Sequence, residues 1–219
     1  MSDLSYFSLP PAEQVRVPRI GDLAPDFSAR TTHGPVTLSD LRGQWVLLVS
    51  HPADFTPVCT SEFIALAEKA EEFRKLDCIL MGLSVDGLPS HLAWVAAIKA
   101  AFGVNVPFPV LEDPSMAVAA AYGMLDVSAD TSATIRAVYI IDPDGVIQAI
   151  TWYPVTVGRS VDELLRLVRA LRRVRKGDVL TPEGWQPGDD VLSPADLTQE
   201  SVSLSGPDWF CKLVKDVEA

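Results

Sequence analysis

Residues 51–62 read His-Pro-Ala-Asp-Phe-Thr-Pro-Val-Cys-Thr-Ser-Glu and set one thiol, Cys59, among imidazole, hydroxyl and carboxylate groups. The thiolate, not the thiol, is the nucleophile, so the available chemistry depends on whether this position favours the anion. An apolar run, Trp45 to Ser50, precedes the stretch and reads as a buried strand, and a helical pattern, Glu62 to Leu76, follows it. Between them Thr56 suits an N-cap, and Pro57 suits the first helical position, where its missing N–H is no loss. Cys59 then takes the third helical position, where a capping box of the form Thr-x-x-Glu carries its carboxylate. Unpaired N–H groups and the helix dipole at that place favour a sulfur anion. The competing reading is an inert, buried cysteine. The neighbours Thr56 and His51 weigh toward reactivity.

The other candidates are less decided by pattern alone. Cys78 lies in the apolar run Cys-Ile-Leu-Met-Gly-Leu and reads as core. Cys211, in Trp-Phe-Cys near the C-terminus, is open between bystander and redox partner. Arg136 opens the strand Arg-Ala-Val-Tyr-Ile-Ile, where a charge is ordinarily solvated. Arg159 stands just before the N-cap Ser160, where a cation does not complement the dipole, so it is expected to answer another charge, Glu62 being the candidate. The three cysteines show no C-x-x-C, and His33, His51 and His91 show no ligand spacing. No metal is expected unless distant residues assemble a site.

The chain has 219 residues, 48% hydrophobic and 21% charged, which fits a globular protein with a substantial core. Its formal net charge of −11 argues against general binding to nucleic acid or anionic membrane, but not against a small neutral substrate. No apolar run approaches a membrane span. Met1 to Pro11 lacks the regions of a secretory signal, and a cytoplasmic location is expected. The one basic cluster, Arg166, Arg169, Arg172, Arg173, Arg175 and Lys176, reads as a solvated helix face and C-terminus.

Strands and helices alternate along most of the chain. Strands are expected at Cys78 to Val85 and Phe108 to Leu111, and helices at Ser90 to Phe102, with Leu92, Val95 and Ile98 inward, and at Met116 to Tyr122. Arg136 to Ile141 and Val146 to Trp152 flank Asp142-Pro-Asp-Gly145 as a hairpin, and Val161 to Val174 is amphipathic, with Leu164, Leu165, Val168 and Leu171 on one face. This is an α/β pattern with a mixed sheet. After Lys176 the composition turns to Gly, Pro, Asp and Ser, with Trp185 and Trp209 as anchors, so residues 1–176 read as the main domain and 177–219 as an extension.

Pro52-x-x-x-Thr56-x-x-Cys59 resembles the active-site pattern of the peroxiredoxins. Gly21-Asp-Leu-Ala-Pro-Asp-Phe27, His91-Leu-Ala-Trp94, Gly123-Met-Leu-Asp126, Thr156-Val-Gly-Arg159 and Thr181-Pro-x-x-Trp185-x-Pro-Gly-Asp-Asp190 are similar to the branch with a long C-terminal domain, which holds one-cysteine and archaeal-type members. The resemblance implies a thioredoxin-like fold, a mixed central sheet flanked by helices, and reduction of hydrogen peroxide and organic hydroperoxides without a cofactor. It implies that Cys59 is the peroxidatic cysteine, that Thr56 bonds thiolate and peroxide, that Arg136 stabilises charge and that Pro52 limits solvent access. His51 would lie beside the substrate, with Glu62 and Arg159 holding Arg136.

Asp208-Trp-Phe-Cys211 resembles the segment that carries a resolving cysteine in archaeal-type members. Those proteins often have a second cysteine where Ser205 stands here, so a bridge within the arm is excluded and a Cys59–Cys211 bridge between subunits, recycled by a thioredoxin-like or small-thiol reductant, is implied. A homodimer and a homodecamer are implied as well. The Gly-x-Ser-x-Gly motif of relatives with phospholipase activity is missing, Arg42-Gly-Gln-Trp-Val46 standing in its place. Two other functions compete: a dithiol–disulfide oxidoreductase, disfavoured by the lack of C-x-x-C, and a non-enzymatic holdase or redox scaffold.

Overall fold

The computed structural model describes residues 16–125, 131–195 and 198–217. Met1 to Pro11 and Asp126, used in the sequence reading, lie outside these residues. In chain order the elements are β1 (Ser28–Thr31), β2 (Gly34–Thr37), a 3-10 turn (Leu38–Leu41), β3 (Trp45–Ser50), α1 (Pro57–Lys75), β4 (Cys78–Ser84), α2 (Leu88–Phe102), β5 (Val110–Glu112), α3 (Ala117–Ala121), β6 (Arg136–Ile141), β7 (Ile147–Tyr153), α4 (Val161–Val174), β8 (Val191–Leu192), α5 (Gln199–Leu204) and β9 (Leu213–Val214).

A seven-stranded sheet has the order β2-β1-β5-β4-β3-β6-β7. Within it, β3 pairs in parallel with β4 and antiparallel with β6, which makes the sheet mixed. Strand alternation sorts side chains into two layers. Trp45, Leu47 and Val49 of β3, with Val138 and Ile140 of β6, pack against α1, α2 and α4. Val46 and Leu48, with Tyr139 and Ile141, pack on the other face against Phe27, Leu38, Val118 and Tyr122. Both faces of β3 and β6 are covered, which is why their sequences are continuously apolar rather than alternating.

The expected hairpin forms, with Arg136 opposite Tyr153. The strands β1 and β2 had no counterpart in the sequence reading. On α2 the buried face is His91, Trp94 and Ile98, while Leu92 is 51% exposed. Ile98 faces inward as expected and Val95 packs part-buried on the core, but the face is rotated away from Leu92 toward His91, which finds buried hydrogen-bond partners.

Helices α1 and α4 run in the same direction. Glu62 meets Arg159 at one end, Glu72 meets Arg169 further along, and the Leu76 carbonyl accepts from Arg172 at the other end. The basic cluster is therefore paired rather than merely solvated: Arg166 holds Glu163, Arg173 holds Asp178 and Asp216, and Arg175 holds Asp144.

The extension folds back onto α4. Trp185 is buried with Val179 and Val191 against Ala170, so this tryptophan anchors the arm on its own chain. Trp209 is only part-buried and stacks edge-on with Phe210.

Candidate active site

Strand β3 ends at Ser50, and the chain crosses from the sheet to α1 through residues 51–56. The crossing is tight enough that Phe55 takes a φ of 57°, the left-handed region that most residues avoid. Thr56 is the N-cap, Pro57 opens the helix, and Cys59 is the third helical residue, buried to 0% exposure. One expectation needs correction: Thr56 makes no side-chain cap. Its hydroxyl donates instead to the Ala53 carbonyl at 2.9 Å, bracing the loop before the helix. The first turn is closed from within by Thr60, whose N–H and hydroxyl both donate to the Thr56 carbonyl, at 2.9 and 2.7 Å.

Arg136 reaches this helix start from the first residue of β6. Its Nη1 donates to Cys59 Sγ at 3.3 Å and to Glu62 Oε2 at 2.9 Å, and its Nε donates to the Val155 carbonyl at 2.9 Å. The side chain is not solvated at a strand start; it is buried. Burial of a cation demands compensation, which Glu62 supplies. Glu62 lies one helical turn beyond Cys59, so its carboxylate sits on the same helix face. Arg159 completes the group, donating to Glu62 Oε1 through its backbone N–H and Nε and to Oε2 through Nη2. Its Nη1 also donates to the carbonyls of Ser50 and Ala137, each at 2.9 Å. One guanidinium thereby ties the ends of β3, β6 and α1 around the sulfur.

His51 is fully buried beside this loop, its ring packed on Phe63 and Trp94 with centroids 4.8 and 5.0 Å away. Its Nε2 bonds Asp54 Oδ1 at 2.9 Å, and its Nδ1 is buried without a partner among the described residues. Burial lowers the His51 ring below its ordinary pKa, with the Asp54 hydrogen bond opposing. Nε2 therefore carries the proton and Nδ1 offers a lone pair. Asp54 also accepts from His91 Nδ1 at 2.8 Å, while His91 Nε2 faces the Leu111 carbonyl at 3.0 Å. Burial alone would raise Asp54, but the bonds from His51 and His91 outweigh it and hold the carboxyl well below the usual range. The Asp54 N–H is in turn held by Asp86 Oδ2 at 3.0 Å.

The sequence reading placed His51 but missed Asp54, Asp86 and His91 as a unit. The only signal was polar residues inside apolar patterns. One ligand atom from each of His51, Asp54 and His91 lies within 4.8 Å of the others. Every such atom except His51 Nδ1 is already engaged in a hydrogen bond, so a cation would have to break this network to bind.

Pro52 stands part-exposed in the loop between His51 and Asp54. Cys78 is core, as expected, and burial pushes its thiol up to about 12, so it stays protonated at neutral pH. Cys211 is exposed, on the arm beside β9. All three cysteines are free.

A cysteine at a helix start with a guanidinium on its sulfur, set just beyond the end of a buried interior strand of a mixed sheet, defines a thiol enzyme on a thioredoxin-like fold. Comparison with known proteins gives the family. Residues 20–150 match the AhpC/TSA family, and residues 170–203 match the C-terminal domain of 1-Cys peroxiredoxin. A peroxiredoxin of Aquifex aeolicus is 50% identical over 196 residues, covering 89% of this chain and 87% of its own. One from Methanosarcina mazei is 44% identical over 218 residues, covering 92% of this chain and 100% of its own. A solved structure of the yeast mitochondrial 1-Cys peroxiredoxin superposes with a TM-score of 0.81 at 38% identity, covering 90% of this chain and 99% of that one. The chain belongs to the peroxiredoxin family, oxidoreductases that reduce peroxides at the expense of thiols.

Proposed function

We propose that Cys59 is the peroxidatic residue and that Cys211 of a neighbouring subunit resolves it. The observation that carries the first half is the Arg136 Nη1 contact with Cys59 Sγ. The thiolate attacks one oxygen of hydrogen peroxide or an organic hydroperoxide, an S–O bond forms as the O–O bond breaks, and Cys59 becomes a sulfenic acid while the other oxygen departs and is protonated to water or alcohol. Arg136 faces both the sulfur and the charge that moves to the leaving oxygen. The Thr56 hydroxyl proton is occupied by Ala53, so Thr56 serves the peroxide as an acceptor. Backbone N–H groups in the first turn of α1 supply donors. Pro52 screens the loop from water, His51 Nδ1 accepts a peroxide proton, and Glu62 and Arg159 keep Arg136 in place.

In the second step the Cys211 thiol attacks the sulfenic sulfur, a disulfide forms and water leaves; a thioredoxin-like or small-thiol reductant then reduces the bridge by exchange. The anchorage of the arm supports a bridge between subunits. Cys211 adjoins Lys212, whose carbonyl accepts from Ser193, and Asp216 is held by Arg173 near the far end of α4. That end lies about 20 Å along the helices from Cys59. Exposed Leu204, Phe210 and Leu213 on the arm, Phe55 and Phe102 beside the loop, and Trp152 on the edge strand β7 support a homodimer and its assembly into a decamer. We place the boundary between peroxidase domain and extension at residues 176 and 177, and the protein in the cytoplasm. No described helix is long and apolar enough to cross a membrane.

The test is peroxide consumption with a thiol reductant, paired with non-reducing gels. Cys59→Ser should abolish turnover, and Cys211→Ser should abolish a disulfide-linked dimer. Unchanged turnover in Cys59→Ser would overturn the mechanism, whereas a monomer band in all states would remove only the Cys211 step.

A further inference from the structure

The arm that carries Cys211 is fastened by very little regular structure. Strands β8 and β9 pair over only two residues each, Val191 with Val214 and Leu192 with Leu213. So short a ladder specifies its register weakly. A slip of two residues keeps the same faces in place and moves the strand by about 7 Å. That displacement exceeds the tolerance of a disulfide, whose Cα atoms must lie within about 7 Å of each other.

A buried ion pair opposes such a slip. Asp216 is the second residue after β9 and its side chain is 1% exposed, whereas neighbouring Lys215 is 88% exposed at its side chain. Arg173 of α4 donates through Nε to both Asp216 oxygens at 3.0 Å, with Nη2 also 3.0 Å from Oδ1. From its other side Arg173 holds Asp178 at 2.9 Å, at the start of the arm. One guanidinium therefore clamps the outgoing and returning ends of the extension on α4. Bidentate geometry of this kind fixes position as well as charge, and a buried pair of this sort is best at fixing register.

We propose that Arg173 is a positioning residue for the resolving step: by seating Asp216 it sets the register of β9, and so the place from which Cys211 reaches the neighbouring subunit. This rests on the reading of Cys211 as the resolving cysteine. Arg173 touches neither peroxide nor sulfur, so the first chemical step does not depend on it.

The test separates the two steps in the full-length reduced protein. Single-turnover loss of hydrogen peroxide reports sulfenate formation, and acid-quenched alkylation followed by non-reducing gels reports the disulfide. Arg173→Gln and Asp216→Asn should leave peroxide loss unchanged and slow disulfide formation by roughly tenfold to a hundredfold, the usual effect of a misplaced reacting group. Arg173→Lys, which keeps a cation between Asp178 and Asp216 but loses the fork, should fall between Arg173→Gln and the unsubstituted protein in the rate of disulfide formation. Disulfide formation at the unsubstituted rate in Arg173→Gln, an equal loss of both steps, or a rate in Arg173→Lys no better than in Arg173→Gln would overturn the proposal. If the unsubstituted protein makes no Cys211 disulfide at all, the underlying reading fails, and the proposal with it.

Discussion

Arg159 grips Glu62 by its backbone as well as its side chain: N–H and Nε meet Oε1 at 2.7 and 2.9 Å, and Nη2 meets Oε2 at 2.7 Å. Glu62 thus has little freedom when it presents Oε2 to Arg136. The geometry at the sulfur is inherited from a pair of residues that do not touch it.

Glu62→Gln should therefore damage both stability and rate. Removing one member of a buried ionic group leaves uncompensated charge and costs about 3–5 kcal/mol. Chemical denaturation should show that loss, and stopped-flow kinetics should show a slower reaction with peroxide in the fraction that remains folded. Arg159→Lys should fall between the two proteins, because it keeps the charge but not the fork.

Arg136→Gln removes the donor aimed at Cys59. Loss of one such charge-assisted donor corresponds to about 3 kcal/mol, or roughly a hundredfold, in kcat/KM for hydrogen peroxide. A rate within a few-fold of the parent protein would show that the guanidinium serves packing rather than chemistry.

The protein should lose stability in acid in two stages. His51 has its folded pKa lowered, so below its unfolded value of about 6.5 the unfolded chain takes up a proton that the folded one refuses. Stability then falls by up to about 1.4 kcal/mol per pH unit for that one group. Asp54 is also lowered, and its contribution, present above about pH 3.9, drains away as pH falls toward its folded value. Denaturation midpoints between pH 7.5 and 5 should slope accordingly, and His51→Gln should flatten the slope.

Gly82 of β4 makes room for the ring beneath His51. A Cβ there would lie 2.6 Å from Phe63 Cζ, and Phe63 stacks on His51 and Trp94. Gly82→Ala should cost about 1–3 kcal/mol by overpacking and perturb the peroxide reaction through the loop. Thermal unfolding and single-turnover kinetics would check both effects.

Much of the site was legible because its first half is local. Strand, proline, threonine and cysteine lie within one short stretch, and helix-start physics acts on neighbours. Glu62 was readable as a partner for Arg159 because a cation before an N-cap needs an explanation. The Asp54–His91 bond was not readable, since it depends on α2 packing its polar His91 inward and its apolar Leu92 outward, against the pattern. Strands β1 and β2 escaped notice because Ser-Ala-Arg-Thr and Gly-Pro-Val-Thr carry little alternation. The cap expected of the Thr56 hydroxyl failed for a similar reason: a carbonyl three residues back competed for it, and sequence does not rank such local rivals.

The paired arginines of α4 carry one more consequence. With so much basic charge committed to carboxylates of the same chain, the outward field of a chain of formal charge −11 stays predominantly negative. A neutral peroxide crosses that field without penalty. An acidic redox protein does not, and its encounter rate rises as salt shortens the screening length to about 10 Å at 0.1 M. Oxidant and reductant thus approach the same molecule under different rules, one indifferent to ionic strength and the other governed by it.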